Sequence, residues 1–120
     1  MKALGDDYEE WAATWLRRCC GVRVIARNFR ARTGEIDIVG MDGSHLLFIE
    51  VRARSDSRFA GAAASVDRPK QQRLLRTAQL YLQQRPELTD LPCRFDVIAI
   101  EPRQSTGEPL LNWIKGAFTA

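Results

Sequence analysis

The sequence predicts an α/β protein whose mixed central sheet is flanked by helices. Apolar residues recur at helical spacing in two stretches, and β-prone runs lie between and after them. Strands interleaved with helices in this way favour a layered α/β architecture. The 120 residues fit one compact domain over 1–120, with the element order α-β-β-β-α-β and a short final element.

The first helix is predicted over residues 6–20. Its apolar residues recur at three- and four-residue spacing from Tyr8 to Cys19. On the helical wheel Glu9 borders the buried stripe, whereas Glu10 points to solvent. A negative charge near a helix N-terminus also complements the helix dipole, so this structural role remains open for Glu9.

Three β-prone runs follow the first helix. A strand is predicted over residues 22–27, and a basic turn over 28–34. Residues 35–40 and 45–53 then form two further strands, joined at the Asp42-Gly43 dipeptide, which is a strong hairpin signal.

The second half of the chain supplies the other helix and the last elements. Residues 55–66 favour a loop, and Asp67 followed by Arg-Pro caps a helix that runs to about residue 84. Residues 93–100 predict a buried strand, in which Asp96 is assigned a structural role beside a buried arginine. The short final element around Trp113 docks the tail onto the body.

Charge is distributed unevenly along the chain. The whole chain has 18 basic and 15 acidic side chains, but residues 17–76 contain thirteen basic residues against six acidic ones. Fifteen of the basic residues are arginine, whose planar guanidinium matches phosphate oxygens. This segment suits a polyanionic partner, although a solvated surface that resists aggregation explains the same charge.

The sequence also excludes several classes of protein. No run approaches the roughly 18 apolar residues of a membrane span, and the first residues lack the apolar segment of a signal peptide. The three cysteines have no paired C-x-x-C spacing, which excludes a zinc ribbon or finger and indicates reduced thiols. A cytoplasmic protein without a membrane partner is expected.

The predicted hairpin gathers acidic residues on one face. A turn centred on Asp42-Gly43 makes Asp37 face Phe48 and leaves Glu50 as its diagonal neighbour. Alternation then puts on one face Glu35, Asp37, Glu50, Arg52 and Arg54. The opposite face carries a continuous apolar stripe made of Ile36, Ile38, Leu47, Ile49 and Val51.

Three carboxylates on adjacent strands repel one another and destabilise a simple sheet. Arg52 offsets part of this charge, and a divalent cation bound through oxygen ligands would offset more. The alternative is a solvent-exposed hairpin face on which glutamates and arginines pair.

Two segments of the hairpin resemble the active-site hairpin of the PD-(D/E)xK nuclease superfamily, namely 34–39 (GEIDIV) and 48–52 (FIEVR). More narrowly, the chain resembles the YraN family of small bacterial proteins, which are predicted nucleases related to Holliday-junction resolvases. The resemblance covers nearly the whole chain. It also includes the stretches 8–13, 26–30, 61–66, 70–71, 94–97 and 113–115.

The resemblance implies a restriction-endonuclease-like fold and gives each acidic residue a role. Asp37 and Glu50 become ligands of Mg²⁺ or Mn²⁺, and Glu9 matches a first-helix acid that completes or orients the metal site. Glu35 and Arg52 join Asp37 and Glu50 as catalytic residues that position water and phosphate. Arg52 occupies the usual lysine position, and it cannot act as a general base because its guanidinium does not lose a proton.

The implied activity is metal-dependent hydrolysis of phosphodiester bonds in DNA, either branched or single-stranded, with a homodimer left open. The main alternative is a non-catalytic protein that binds DNA, assists recombination and keeps the nuclease fold. A third hypothesis is a protein-interaction module with no role in nucleic-acid binding. For Lys70 and Arg73, a solvated helix face is the alternative to phosphate binding. The predicted backbone-binding residues are Arg27, Arg30, Arg32, Arg54, Lys70 and Arg73.

Overall fold

The computed structural model describes residues 4–53, 66–101 and 110–118. A single turn of 3₁₀ helix follows the second α-helix at Pro86–Leu88. The helices and strands are α1 (Leu4–Cys20), β1 (Arg23–Ala31), β2 (Gly34–Asp42), β3 (His45–Ala53), α2 (Arg68–Gln84), β4 (Cys93–Glu101) and β5 (Leu110–Phe118).

The five strands form one mixed sheet in the order β1-β2-β3-β4-β5. Only β3 and β4 are parallel, and α2 connects them, whereas the other neighbours are antiparallel. The predicted α/β class and the order α-β-β-β-α-β are confirmed. The final element is longer than predicted, because β5 is a nine-residue strand that pairs with β4 from Phe95 to Glu101.

The first strand is also longer than predicted. The expected basic turn over 28–34 is mostly strand, since β1 continues to Ala31 and pairs Arg30 with Glu35. Only Arg32 and Thr33 remain in the turn. Asparagine and glycine favour turns locally, but cross-strand pairing with β2 overrides that preference here.

Apolar residues on the two faces of the sheet form two clusters, and each helix covers one of them. Each helix is amphipathic, and no helix within the described ranges has both the length and the apolar content to span a bilayer. The α1-side cluster contains Ala12, Ala13, Leu16, Ile38, Leu47, Ile49, Ile98 and Ile100. The α2-side cluster contains Val39, Leu46, Phe48, Leu74, Ala78, Tyr81 and Val97.

The start of α2 is fixed by the predicted cap. The Asp67 side chain accepts a hydrogen bond from the Lys70 N–H at 2.9 Å, and a proline occupies the first turn. Val66, just before the cap, is buried in the α2-side cluster. This anchoring sets the position of Lys70 relative to the sheet.

The β2–β3 hairpin has a different register from the one predicted. Asp42 pairs with His45, so the turn residues are Gly43 and Ser44, and Val39 rather than Asp37 faces Phe48. Gly43 has φ 61°, which suits a turn with glycine at the first central position. The loop still has two residues, and the acids therefore keep a common face. Continued by one residue, the pairing sets Asp37 directly opposite Glu50 instead of diagonally.

Side chains along β2 do not alternate strictly. Ile38 packs on the α1 side and Val39 on the α2 side, but Ile36, expected beside Ile38, also packs on the α2 side. Asn28 on the neighbouring β1 has a left-handed φ of 54°, and such a residue rotates a strand and disturbs its pleat. The predicted apolar stripe is therefore wrong at Ile36. It holds at Ile38, Leu47, Ile49 and Val51.

Asp96 joins the last two strands. Its fully buried carboxylate accepts two hydrogen bonds from Arg94, one from the Trp113 indole N–H and one from the Gly116 N–H, all at 2.9 Å. The predicted structural role is confirmed, although the arginine is one-quarter exposed rather than buried.

Candidate functional site

Asp37 lies where the regular ladder between β2 and β3 ends. The last backbone pair of that ladder within the described residues is Ile38–Ile49. The Asp37 side chain is 7% exposed, and its Oδ2 accepts a hydrogen bond from the Val51 N–H at 2.8 Å. A side chain, rather than the β2 backbone, therefore satisfies this donor of β3.

Glu9 and Glu35 join Asp37 in one cluster. One carboxylate oxygen from each residue lies within 4.8 Å of the other two. Glu9 reaches the cluster from α1 and is half-buried, whereas Glu10 is exposed and pairs with Arg27 at 2.7 Å. The helical-wheel prediction for the two glutamates is confirmed.

Asn28 enters the cluster from β1, and sequence reasoning missed it. With its amide nitrogen turned toward the acids, it donates to Glu9 Oε1 at 2.7 Å and to Glu35 Oε1 at 3.0 Å. Asparagine adopts positive φ more readily than most residues, which allows the φ of 54° at this point. The only signal in the sequence was an asparagine inside a β-prone stretch, which in isolation indicates a turn.

Glu50 approaches Asp37 from β3 but is not a member of the three-carboxylate group. Its side chain is 8% exposed, and Oε1 lies 3.6 Å from Lys70 Nζ. The predicted Asp37–Glu50 pair is therefore brought together. A solvent-exposed hairpin face does not describe these two carboxylates, because both are buried.

The surroundings of Asp37 favour its protonated form. Burial is the main cause, the charge of Glu50 adds to it, and together with smaller contributions they raise the pKa of Asp37 to about 7. The hydrogen bond from the Val51 N–H acts in the opposite direction and lowers the pKa. The nearby cations therefore balance the negative charge of the cluster only in part.

The oxygen donors fit a hard divalent cation. Such ions bind oxygen at about 2.0–2.6 Å, so ligands on opposite sides of one ion lie roughly 4–5 Å apart. The 4.8 Å grouping of Glu9, Glu35 and Asp37 meets this requirement. Glu35, which the sequence assigned to water and phosphate positioning, thus stands among the candidate ligands, while Glu50 contacts the group through Asp37.

Two of the predicted phosphate-binding residues contact the acids themselves. Arg30 Nε lies 3.3 Å from Glu35 Oε2, and Lys70 lies beside Glu50. The Lys70 side chain is 29% exposed and points into the site, so a fully solvated helix face does not describe it. Arg30 is 75% exposed and remains accessible to a ligand.

The other predicted cations are more scattered. Arg32 in the β1–β2 turn and Arg73 on α2 are exposed, and neither has an ion-pair partner within the described part of the chain. Arg52 is half-buried on β3, two residues beyond Glu50. Arg54 lies outside the described residues.

These features define an α/β protein with a cluster of carboxylates between its first helix and the central sheet. The chain belongs to the uncharacterised protein family UPF0102, whose model matches residues 8–100. A UPF0102 protein of Methylobacillus flagellatus is 46% identical over 120 residues, which is the full length of both chains. A UPF0102 protein of Pseudomonas entomophila is 46% identical over 95% of this chain and 91% of its own. One of Xanthomonas campestris is 50% identical over 82% of this chain and 77% of its own.

The family membership that the sequence motifs predicted is confirmed. Nuclease activity, the metal and the nucleic-acid partner stay predictions, because the descriptions of the family and of these relatives name no activity.

Proposed function

We propose that this protein is a metal-dependent nuclease that hydrolyses phosphodiester bonds in DNA. The observation that carries the proposal is the convergence of acidic side chains from α1, β2 and β3 around Asp37, beside a lysine of α2. Asp37 and Glu50 are buried together, and buried like charges are costly unless a positive ligand compensates them. Ionisable groups kept in such an environment are typical of functional sites.

The acidic residues would hold Mg²⁺ or Mn²⁺ around Asp37, where the pairing of β2 with β3 ends. Asp37 and Glu50 provide the buried side of this site, and Glu9 and Glu35 provide the more exposed side. Asn28 donates to both of the latter carboxylates, and this restricts their orientation before a cation binds. When bound, the ion supplies Lewis-acid stabilisation of charge on the phosphate and lowers the pKa of coordinated water.

Two cationic residues, Lys70 and Arg52, would contact the substrate at the same site. The Lys70 ammonium lies 3.6 Å from Glu50, which allows it to contact a phosphate held next to that carboxylate. Arg52 keeps its proton at physiological pH, so its contribution is to stabilise the charge that develops on the phosphate. Neither role requires a change of protonation.

Cleavage assays on labelled duplex, forked, four-way and single-stranded DNA, with Mg²⁺, Mn²⁺ or chelator, test the proposal. Asp37→Asn and Glu50→Gln should each lower the rate at least about 100-fold, since each removes a candidate ligand. Asp90→Asn makes the same chemical change at an exposed turn position and should stay within about twofold of wild type. Product formation in chelator, or equal rates for Asp37→Asn and Asp90→Asn, would contradict the proposal.

A non-catalytic DNA-binding protein is the second candidate, and Arg52 is the observation in its favour. An arginine in place of the motif lysine leaves that position without a group that can act as a base. This function predicts DNA binding in chelator, no products with either metal, and unchanged affinity in Asp37→Asn.

A further inference from the structure

An open cleft lies between the β1–β2 turn and α2, outside the acidic cluster. Its volume is about 180 Å³. The turn forms one wall and a single face of α2 forms the other, and none of the described residues that line the cleft is acidic. The lining residues are Arg32, Thr33, Arg76, Gln79, Leu80 and Gln83.

Within the described residues, the two arginines of the cleft form no ion pair. Both Arg32 and Arg76 are exposed, and neither has an acidic partner among the described residues. By contrast, Arg27, Arg30 and Lys70 each contact a glutamate. Guanidinium groups and glutamine amides on facing walls offer several N–H donors, which phosphate oxygens accept.

A row of cations on α2 connects the acidic cluster with the cleft. Lys70, Arg73 and Arg76 follow one another at three-residue spacing, and this corresponds to about 9 Å of helix rise from first to last. Lys70 contacts Glu50, and Arg76 lines the cleft. Between them, the Arg73 side chain lies close to Gly34 in β2. A Cβ atom added at Gly34 would be 3.9 Å from the Cβ of Arg73.

A pair of hydroxyl groups holds the two walls together. Thr33 Oγ1 and Thr77 Oγ1 are 2.7 Å apart, and Thr77 Oγ1 lies 2.8 Å from the Arg73 carbonyl, to which it donates. A hydroxyl has one proton, so Thr33 is the donor in the Thr33–Thr77 contact. Thr77 is fully buried, and the spacing of turn and helix is therefore set before any ligand arrives.

We propose that this cleft binds the sugar-phosphate backbone of the nucleic acid whose scissile bond lies over Asp37. The inference rests on the proposed function and deepens it, because it gives the direction in which the strand leaves the acidic cluster. The cleft is open and about 180 Å³ in volume, which is enough for a phosphate group with part of its sugar.

Fluorescence anisotropy with labelled single-stranded and duplex DNA, in chelator and over a series of salt concentrations, tests the inference. The Arg32→Gln/Arg76→Gln variant should bind at least about tenfold more weakly at low salt. The slope of log affinity against log salt should also fall by about 1–2, since each lost phosphate contact removes about 0.7–0.9. The single Arg76→Gln variant should give about half of that change in slope.

Arg17→Gln/Arg18→Gln is the matched control, because it removes the same charge from two exposed arginines at the end of α1. It should bind within about twofold of wild type, and Arg32→Gln/Arg76→Gln should keep the wild-type unfolding temperature since both of its side chains are exposed. Equal losses in the two double variants, unchanged affinity in Arg32→Gln/Arg76→Gln, or a wild-type protein that does not bind DNA would overturn the inference.

The proposed function fails by a different result. Wild-type protein that binds DNA but gives no metal-dependent product would contradict hydrolysis, while a selective loss of binding in Arg32→Gln/Arg76→Gln would still support the cleft. Asp37→Asn should keep full affinity in chelator, and this outcome separates binding in the cleft from the chemistry at the acidic cluster.

Discussion

The two helices pack on opposite faces of one sheet, and they bring opposite charges to the same site. Acidic residues occupy the first turns of α1, and Arg17 and Arg18 occupy its last turn, a pattern that complements the helix dipole. The first turn of α2 has no acidic residue and contains Arg68 and Lys70 instead. These cations lie at the positive end of the dipole, so the charge pattern of α2 disfavours its own start.

This difference supports the proposal that α2 binds the phosphate backbone, because its first turn carries charges that oppose its own stability. The Asp67 cap and the proline after it compensate α2 for its unfavourable charges. A local rule broken at one point and compensated nearby is typical of a functional site. We therefore expect Glu9 of α1 to determine the metal affinity and the cations of α2 to determine the affinity for the phosphate backbone.

The largest effect is expected from Lys70→Met. Removal of the ammonium group beside Glu50 should lower the rate of DNA cleavage at least about 100-fold, because a charge-stabilising contact is lost. Magnesium affinity, measured by calorimetry, should not fall, because removal of a positive charge beside Glu50 reduces repulsion of the ion. Lys115→Met, at an exposed position of β5, is the control. If Lys70→Met lost as much metal affinity as cleavage rate, the assignment of metal binding to α1 and phosphate binding to α2 would be wrong.

The converse change on α1 is Glu9→Gln. Magnesium affinity should fall about 10–30-fold, while DNA affinity in chelator should remain unchanged or rise slightly because a negative charge is removed. Glu10→Gln, one residue further along the helix and exposed, should leave the metal affinity unchanged. If Glu9→Gln behaves like Glu10→Gln, then Glu9 serves only the helix dipole.

The raised pKa of Asp37 predicts that the stability of the protein depends on pH. The folded state holds this proton more tightly than the unfolded chain, so metal-free protein should lose stability as the pH rises from about 4 to about 7. Asp37→Asn removes the ionisation and should raise the free energy of unfolding by about 1–2 kcal/mol at pH 8. That gain should shrink toward pH 4, where the folded state carries the proton and a large share of the unfolded chains carry it too.

Urea denaturation in chelator at both pH values measures this difference. Addition of Mg²⁺ at pH 8 should stabilise the wild type more than Asp37→Asn, because a ligand that binds only the folded state shifts unfolding by mass action. An equal gain for Asp37→Asn at pH 4 and pH 8 would show that ionisation of Asp37 is not the cause.

The smallest effect tests the dipole argument itself. Arg68→Glu places a negative charge in the first turn of α2 and should raise the free energy of unfolding by about 0.3–1 kcal/mol while weakening DNA binding. Gln84→Glu, at the other end of the same helix, should lower the free energy of unfolding. Shifts of the same sign in both variants would contradict this interpretation.

Features with strong local signals were predictable from the sequence. The capping aspartate of α2 and the amphipathic pattern of α1 identified both helices, and Glu9 was placed correctly at the edge of the buried stripe. The convergence of Asp37 and Glu50 was also predictable, although the turn is centred one residue later than expected. A two-residue loop in either position keeps the same parity, and parity alone decides which side chains share a face.

Features that depend on tertiary packing were not predictable. Asn28 meets Glu9 and Glu35 only because α1 lies against β1, and its left-handed φ coincides with the break in alternation that places Ile36 on the other face of the sheet. The length of β5 depends on hydrogen bonds that reach Asp96 from a strand 17 to 20 residues away in sequence. Local propensity has no access to such contacts.

The hydroxyl contact between Thr33 and Thr77 connects the β1–β2 turn to α2. Thr33 lies two residues before Glu35, and Thr77 bonds to the carbonyl one turn earlier, at Arg73. The strand that carries Glu35 and Asp37 is therefore held at a fixed distance from α2. Because the protein itself fixes this spacing, we expect removal of either hydroxyl to disturb the cleft and the carboxylates together.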